Sequence, residues 1–268
     1  MKPITLYFGK FVLIAIFVLS VSACSKFNRL LKSDNVEGKL AAAIAYYEKK
    51  DYFHAVTLLE DLLPLMQGKK EGEKVMYYYA YCFYGQEDFS SATYHFKKFY
   101  ETYPRSELAE EGYFMYAYCL YSDSPVYNLD QSSTYRAIEA IVSFISIFPN
   151  STRLSECNNI IDELRKKILL KDYHNTKIYG KLEYYKAAVI ALNNFIDDYP
   201  VSEFDEEIRF LRLEAQYNLS KSSTELKQKE RFADALNYYE NFIDKYPQSK
   251  RIKQAESYYD VIIKKIKG

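Results

Sequence analysis

Apolar and polar positions recur with a helical period along most of the chain. Between Asp88 and Ser106 (D-F-S-S-A-T-Y-H-F-K-K-F-Y-E-T-Y-P-R-S) the apolar residues fall three, four and seven apart, which lines them along one helical face. With Ala92 as origin, Phe89 lies three before it, and Phe99, Tyr103, Pro104 and Ser106 lie seven, eleven, twelve and fourteen after it. The same template returns around Ala137 (Phe144, Phe148, Pro149, Ser151), Ala188 (Tyr185, Phe195, Tyr199, Pro200, Ser202) and Ala235 (Phe232, Phe242, Tyr246, Pro247, Ser249). A degenerate copy sits at Ala55, with Tyr52 and Leu62 in place and Gln67 where the proline would stand.

The prolines at 104, 149, 200 and 247 are 45, 51 and 47 residues apart, the scale of a repeat array. A small alanine lets two helices approach closely. The proline, lacking an N–H and restricting the residue before it, stops a helix. The serine two residues on can cap the next. The pattern predicts helices at about 37–48, 51–66, 72–86, 88–103, 106–121, 132–148, 151–172, 177–199, 202–219, 229–246 and 249–266, with polar loops from Tyr121 to Ser133 and from Ser220 to Glu230.

The composition leaves few other classes open. The chain has 268 residues, 36 basic and 36 acidic, so it offers no basic field for nucleic acid and no acidic one for cationic partners. Only 8 Gly and 7 Pro suit a helical protein, while 29 Tyr with no Trp suit half-buried surfaces where a ring packs and a hydroxyl meets water.

The N-terminus has a different pattern. Lys2 and Lys10 precede an apolar run from Phe11 to Leu19, too short for a comfortable membrane span and typical of a signal peptide. It ends in Val21-Ser22-Ala23-Cys24, which resembles a bacterial lipobox. The resemblance implies cleavage after residue 23, lipid on the Cys24 thiol, and a linker over 24–36. Ser25, where an inner-membrane lipoprotein would carry aspartate, favours the outer membrane by the same resemblance.

No site chemistry emerges. There is no G-x-S-x-G, P-loop or H-E-x-x-H, and no CxxC or Cys/His metal spacing. Cys82, Cys119 and Cys157 stand singly in helical patterns, and His54, His95 and His174 are scattered. Neither catalytic residues, nor a metal, nor a cofactor is expected.

The helical template resembles the tetratricopeptide repeat. In the second unit Met76 takes the Trp place, Tyr79-Ala80 the Leu-Gly and Phe83 the Tyr, completed by Ala92, Phe96 and Pro104. In the third, Tyr113, Tyr116-Ala117 and Leu120 match; in the fifth, Ala215 is taken as the small residue, 20 before Ala235. The expected fold is all-α, a right-handed α-solenoid of about five such helix pairs over 37–268 with a C-terminal capping helix, divided into halves 37–148 and 149–268.

Lipobox and repeats together resemble the BamD lipoprotein family of outer-membrane β-barrel assembly. The resemblance rests on S-S-T-Y-R-A-I-E-A-I-V-S-F-I-S-I-F-P-N-S (132–151), L-K-D-Y-H-N-T-K-I-Y-G-K-L-E-Y-Y-K-A-A (170–188) and F-I-D-D-Y-P (195–200). It implies a periplasm-facing scaffold held to the membrane by its lipid. Such a scaffold contacts the barrel-forming assembly protein and receives unfolded barrel substrates. Two other classes remain open: a periplasmic repeat scaffold for division or peptidoglycan proteins, and a glycan-binding surface lipoprotein.

In tetratricopeptide arrays the first helix of each unit lines the binding face. Tyr77, Tyr81 and Tyr84 share that face in unit two, Phe114, Tyr118 and Tyr121 in unit three, and Tyr47 in unit one. These seven form a candidate stripe for an extended peptide with aromatic side chains, in the substrate-facing half 37–148; the alternative is that they pack against one another or against the second helices.

The lipobox generates the first prediction. Wild-type protein incorporates labelled fatty acid and fractionates with the outer membrane, whereas Cys24→Ala accumulates uncleaved or leaves that fraction. Unlabelled wild-type protein would remove the anchor.

Overall fold

The computed structural model describes residues 26–267. The proposed signal peptide and Cys24 lie outside them. After helical residues 26–31 come α1 (Val36–Glu48), α2 (Tyr52–Met66), α3 (Lys70–Gly85), α4 (Phe89–Thr102), α5 (Ala109–Ser122), α6 (Ser132–Ile147), α7 (Leu154–Lys181), α8 (Tyr185–Asp198), α9 (Asp205–Lys221), α10 (Glu225–Lys245) and α11 (Ile252–Lys267). The fold is all-α with tetratricopeptide-like pairs α1/α2 to α9/α10 and a last helix, α11. The main packing partners of most helices are their chain neighbours, as a repeat array requires. The chain forms two compact units, one running through Pro125 with Gln131–Ile161, the other Val126–Asp130 with Asp162 onward. The sequence reading places its own division at 148/149.

Within a pair, the turn is the same three times over. Lys50, Glu87 and Glu183 each have φ near 60. The N–H of Glu87 reaches the Tyr84 carbonyl at 3.0 Å and that of Asp88 reaches Phe83 at 3.0 Å. Lys50 and Asp51 pair likewise with Tyr47 and Tyr46, and Glu183 and Tyr184 with Gly180 and Tyr179. These bonds satisfy the carbonyls a helix end would otherwise leave open. Asp51 and Asp88 then cap the next helix, their carboxylates accepting from the N–H of His54 at 3.3 Å and Ser91 at 3.0 Å.

Between pairs, all four proline-associated serines do the same work. The Oγ atoms of Ser106, Ser151, Ser202 and Ser249 accept from the N–H two residues on at 2.9, 3.1, 3.1 and 3.1 Å. Each serine folds the chain through one turn before the helix begins, so those helices start three residues later than the sequence suggests.

The template alanines Ala55, Ala92, Ala137, Ala188 and Ala235 are fully buried, as are Ala43, Ala80 and Ala117 on the first helices. Large rings fill the space around them: Phe96, Phe99, Phe114, Phe144, Phe210, Phe232 and Phe242 are also buried.

Three sequence expectations are corrected. The predicted break between 172 and 177 is absent: α7 runs unbroken to Lys181. No proline interrupts it, and Tyr173 and Thr176 are buried within the second unit. The predicted loop 220–230 shrinks to the three residues between Lys221 and Glu225. Its serines fold back onto α9, Ser222 Oγ donating to the Asn218 carbonyl at 3.0 Å and Ser223 Oγ to that of Leu219. Gln228 donates to the Ser223 carbonyl at 3.1 Å, and E-L-K-Q-K-E extends α10 because its residues are good helix formers.

The third correction is the register of unit five. Leu213, not Ala215, takes the place of Ala80. Ser249 donates to Glu206 as Ser106 does to Glu73, each acid seven residues before the packing position. The packing position and the template alanine are thus 22 residues apart in this unit, not 20.

Ala92 tests the packing. Ala92→Leu overfills a fully buried contact and is expected to lower stability by roughly 1–3 kcal/mol. An unchanged melting midpoint would contradict the register.

Candidate functional site

The seven sequence-predicted residues lie on α1, α3 and α5, all in the first compact unit. The structure joins them by ring contacts. Tyr47 stands 6.3 Å from Tyr81, Tyr77 is 4.7 Å from Tyr81, and Tyr81 is 6.3 Å from Tyr84. Tyr84 reaches Tyr118 at 6.3 Å; Tyr118 meets Phe114 and Tyr121 at 5.6 Å each. The result is a continuous ladder across three helices. Its rungs come from a shared register: Tyr81 and Tyr118 follow Ala80 and Ala117 by one residue, and Tyr47, Tyr84 and Tyr121 follow Ala43, Ala80 and Ala117 by four.

The ladder is not equally open along its length. Six of its rings are half-buried, while Phe114 is only 2% exposed. The guanidinium of Arg153 lies 4.0 Å over the Phe114 ring and covers it. Phe114 therefore supports the surface from below, against Phe144 at 5.6 Å.

Two residues that sequence reasoning missed hold this arrangement. Glu111 on α5 accepts the Tyr81 hydroxyl proton in a hydrogen bond and pairs with Arg153 Nη2 at 2.5 Å. Arg153 also lies 3.4 Å from Glu156. A partly shielded pair with two further contacts is better fixed than an exposed surface pair. The signal was present in the chain. Arg153 and Arg251 each stand two residues after a cap serine, in P-x-S-x-R. Arg251 repeats the clamp on unit five, 5.0 Å over Phe210 and 3.8 Å from Glu207. Glu207 is held from the preceding pair by the Tyr173 hydroxyl at 2.6 Å and Lys177 at 2.8 Å.

Burial sets the protonation of the ladder. It raises the Tyr47 hydroxyl to about 12, with neighbouring Tyr52 adding to the effect. Tyr81 is raised further, by burial first and then by its bond to Glu111; Tyr77 and Tyr84 are also raised by burial. The thiols of Cys82 and Cys119, behind the ladder, are pushed by burial up to about 12. They are small core residues and not nucleophiles.

Each histidine stacks on an aromatic ring: His54 on Tyr46 at 5.0 Å, His95 on Phe83 at 5.0 Å and His174 on Tyr127 at 5.1 Å. Among the described residues no group of three or more His, Cys, Asp and Glu could hold a metal ion, and no helix is long and apolar enough to cross a membrane. The arrangement presents half-buried rings and hydroxyls beside the Glu111–Arg153 pair, a surface suited to contact with another ring.

Comparison with known proteins follows the same lines. The family profile YfiO, described as outer membrane lipoprotein, matches residues 39–228, and a tetratricopeptide repeat profile matches residues 214–249. A putative outer membrane protein assembly factor BamD from Aquifex aeolicus (strain VF5) is 24% identical over 192 residues, which is 71% of this chain and 62% of that protein. The chain thus spans less than two thirds of that relative's length. Among solved structures, the TPR domain of P58(IPK) is 14% identical with a TM-score of 0.42, covering 90% of this chain and 66% of that one. The TPR2AB domain of yeast Sti1, in a complex with pHSP90, is 12% identical with a TM-score of 0.42, covering 87% and 98%.

The raised hydroxyls generate a pH prediction. A tyrosine whose folded value lies above its unfolded value of about 10 contributes stability that is complete below pH 10. That contribution is lost as pH rises from there through the folded value. Absorbance at 295 nm should therefore show a group of tyrosines still un-ionised at about pH 11, released together on unfolding. A single smooth titration near 10 for every tyrosine would contradict the ladder's burial.

Proposed function

Because the chain belongs to the YfiO family of outer membrane lipoproteins, we propose that it is a lipid-anchored scaffold that helps assemble and insert β-barrel proteins into the outer membrane. Unfolded barrel chains are its cargo, and the barrel-forming assembly protein is its partner. Cys24 carries the lipid, and the repeats face the periplasm. The name of the Aquifex relative, an outer membrane assembly factor, supports this reading. A repeat scaffold needs no reaction of its own; it needs a surface that recognises one feature common to many substrates.

The observation that carries the proposal is the ring ladder from Tyr47 to Tyr121. Tyr47, Tyr77, Tyr81, Tyr84, Tyr118 and Tyr121 line the peptide site, with Phe114 beneath them. Tyrosine offers a large rigid ring and a hydroxyl at low entropic cost on binding, which suits adaptable recognition of an extended chain. Barrel strands alternate apolar and polar residues and carry aromatic girdles near their ends, so an unfolded barrel segment brings apolar side chains at two-residue spacing with aromatic ones among them. Such a segment can lay successive rings against the half-buried tyrosines.

Tyr84 and Tyr118 are better probes than Tyr81, whose hydroxyl also binds Glu111. Central aromatic anchors typically cost about 2 kcal/mol or more when truncated. The double variant Tyr84→Ala, Tyr118→Ala is expected to weaken binding of a barrel-derived C-terminal peptide by at least roughly tenfold, with helicity by circular dichroism unchanged. Tyr81→Phe, which keeps the ring, should bind within a small factor of wild type. Equal affinity in a folded double variant would move the substrate site off this ladder.

A further inference from the structure

One register place on the first helices is filled the same way in four pairs and differently in the fifth. Four residues after the packing position stand Tyr47 on α1, Tyr84 on α3, Tyr121 on α5 and Tyr217 on α9; on α7 the residue there is Gly180. The turn fixes this alignment independently, since Tyr47, Tyr84 and Gly180 each precede by three the left-handed residue of their pair.

Three of the tyrosines have defined berths against the next first helix. Tyr47 packs on Tyr78 at 5.2 Å and on Tyr81 at 6.3 Å. Tyr84 packs on Tyr118 at 6.3 Å. Tyr217 stacks on Tyr258 of α11 at 4.5 Å. Facing Gly180, the places of Tyr78 and Tyr81 are held by Leu211 and Glu214 of α9. Between them and Gly180 lies a cavity of about 320 Å³, its apolar side formed by Leu192, Leu211 and Ala215.

Gly180 has no packing reason to be glycine. A Cβ there would meet nothing within 4 Å, and its φ is not in the left-handed region. With no side chain there, this position leaves open the space that a tyrosine occupies at the same register place in the other pairs. The surrounding charge is balanced: Lys177 and Lys181 against Glu183 and Glu214. A neutral rim over an apolar floor favours an uncharged ring with a polar tip over an anion or a cation.

We propose that this cavity receives a tyrosine side chain from an extended polypeptide partner. That ring takes, on α7, the place that the chain's own tyrosines take on α1, α3 and α9. The site lies wholly in the second compact unit and does not depend on the ladder of the first.

The test uses the full chain in detergent with N-acetyltyrosine amide as probe. Amide resonances of Leu211, Ala215 and Asn218 should shift and saturate in wild type. Gly180→Tyr supplies the ring internally and should bind the probe at least tenfold more weakly, while melting no lower than wild type. Gly180→Ala, adding one methyl into open space, should keep binding. If Gly180→Tyr does not fold, Leu211→Phe narrows the same cavity from the opposite wall and should weaken the probe likewise. The ladder variant Tyr84→Ala, Tyr118→Ala should leave this binding untouched, so the two sites fail separately. No saturating shift in wild type, or equal affinity in a folded Gly180→Tyr, would overturn the proposal. So would a change in the sedimentation of the protein alone on substitution, which would make the occupant a second copy of this chain.

Discussion

In three of the five helix pairs, the way the two helices meet is set by the turn between them. A left-handed residue seven positions after one small buried residue and five before the next leaves no freedom in how the two helices meet. Ala80, Glu87 and Ala92 are one instance; Ala43, Lys50 and Ala55 are another. The left-handed backbone is unfavourable for a lysine or a glutamate. It is held because the following N–H groups close onto carbonyls of the last helical turn, and because fully buried alanines leave no room for a different crossing. Once this distance is set, the faces of the first helix are set too, including the one that carries the tyrosines.

The abundance of tyrosine follows from two uses of the same side chain. Along the first helices the rings pack on one another between repeats. At the ends of the second helices, the tyrosine before the proline ties its hydroxyl to an acid in its own pair, as Tyr199 does to Asp172 at 2.6 Å and Tyr246 to Asp205. Asp205 shows how costly burial of charge is met. Burial alone would raise its carboxyl. Hydrogen bonds from Arg209, Lys245 and Tyr246 outweigh that and hold it below the usual aspartate range. An unpaired carboxylate in that position would be strongly destabilising. On the ladder itself, the charged groups bonded to or lying over its rings are Glu111 and Arg153.

Chemically the molecule is a set of berths for rings. In the first unit the chain fills them with its own tyrosines and leaves their outer faces half-buried. In the second unit one berth is open. On the function proposed above, such a surface would distinguish extended chains rich in aromatic residues from folded ones more than it distinguishes one sequence from another.

By itself the sequence determined the repeat, the stops and the caps. Proline, serine and alanine act over a few residues, so their spacing could be read without knowing what lay alongside, and the four serine caps stand where the template puts them. Seven ring positions on three helices were legible for the same reason, since helical period alone assigns residues to a face. Only the tertiary structure decided which of those rings would be covered. Phe114 lies under Arg153, from 39 residues further along the chain; the P-x-S-x-R spacing marks the arginine but does not say which ring it covers. It also decided that α7 continues to Lys181, because a helix without a proline ends where its packing and capping end. The meaning of Gly180 was likewise hidden, since the sequence reading sets it inside a helix over 177–199, and only the turn at Glu183 fixes the register and shows it in the place of a tyrosine.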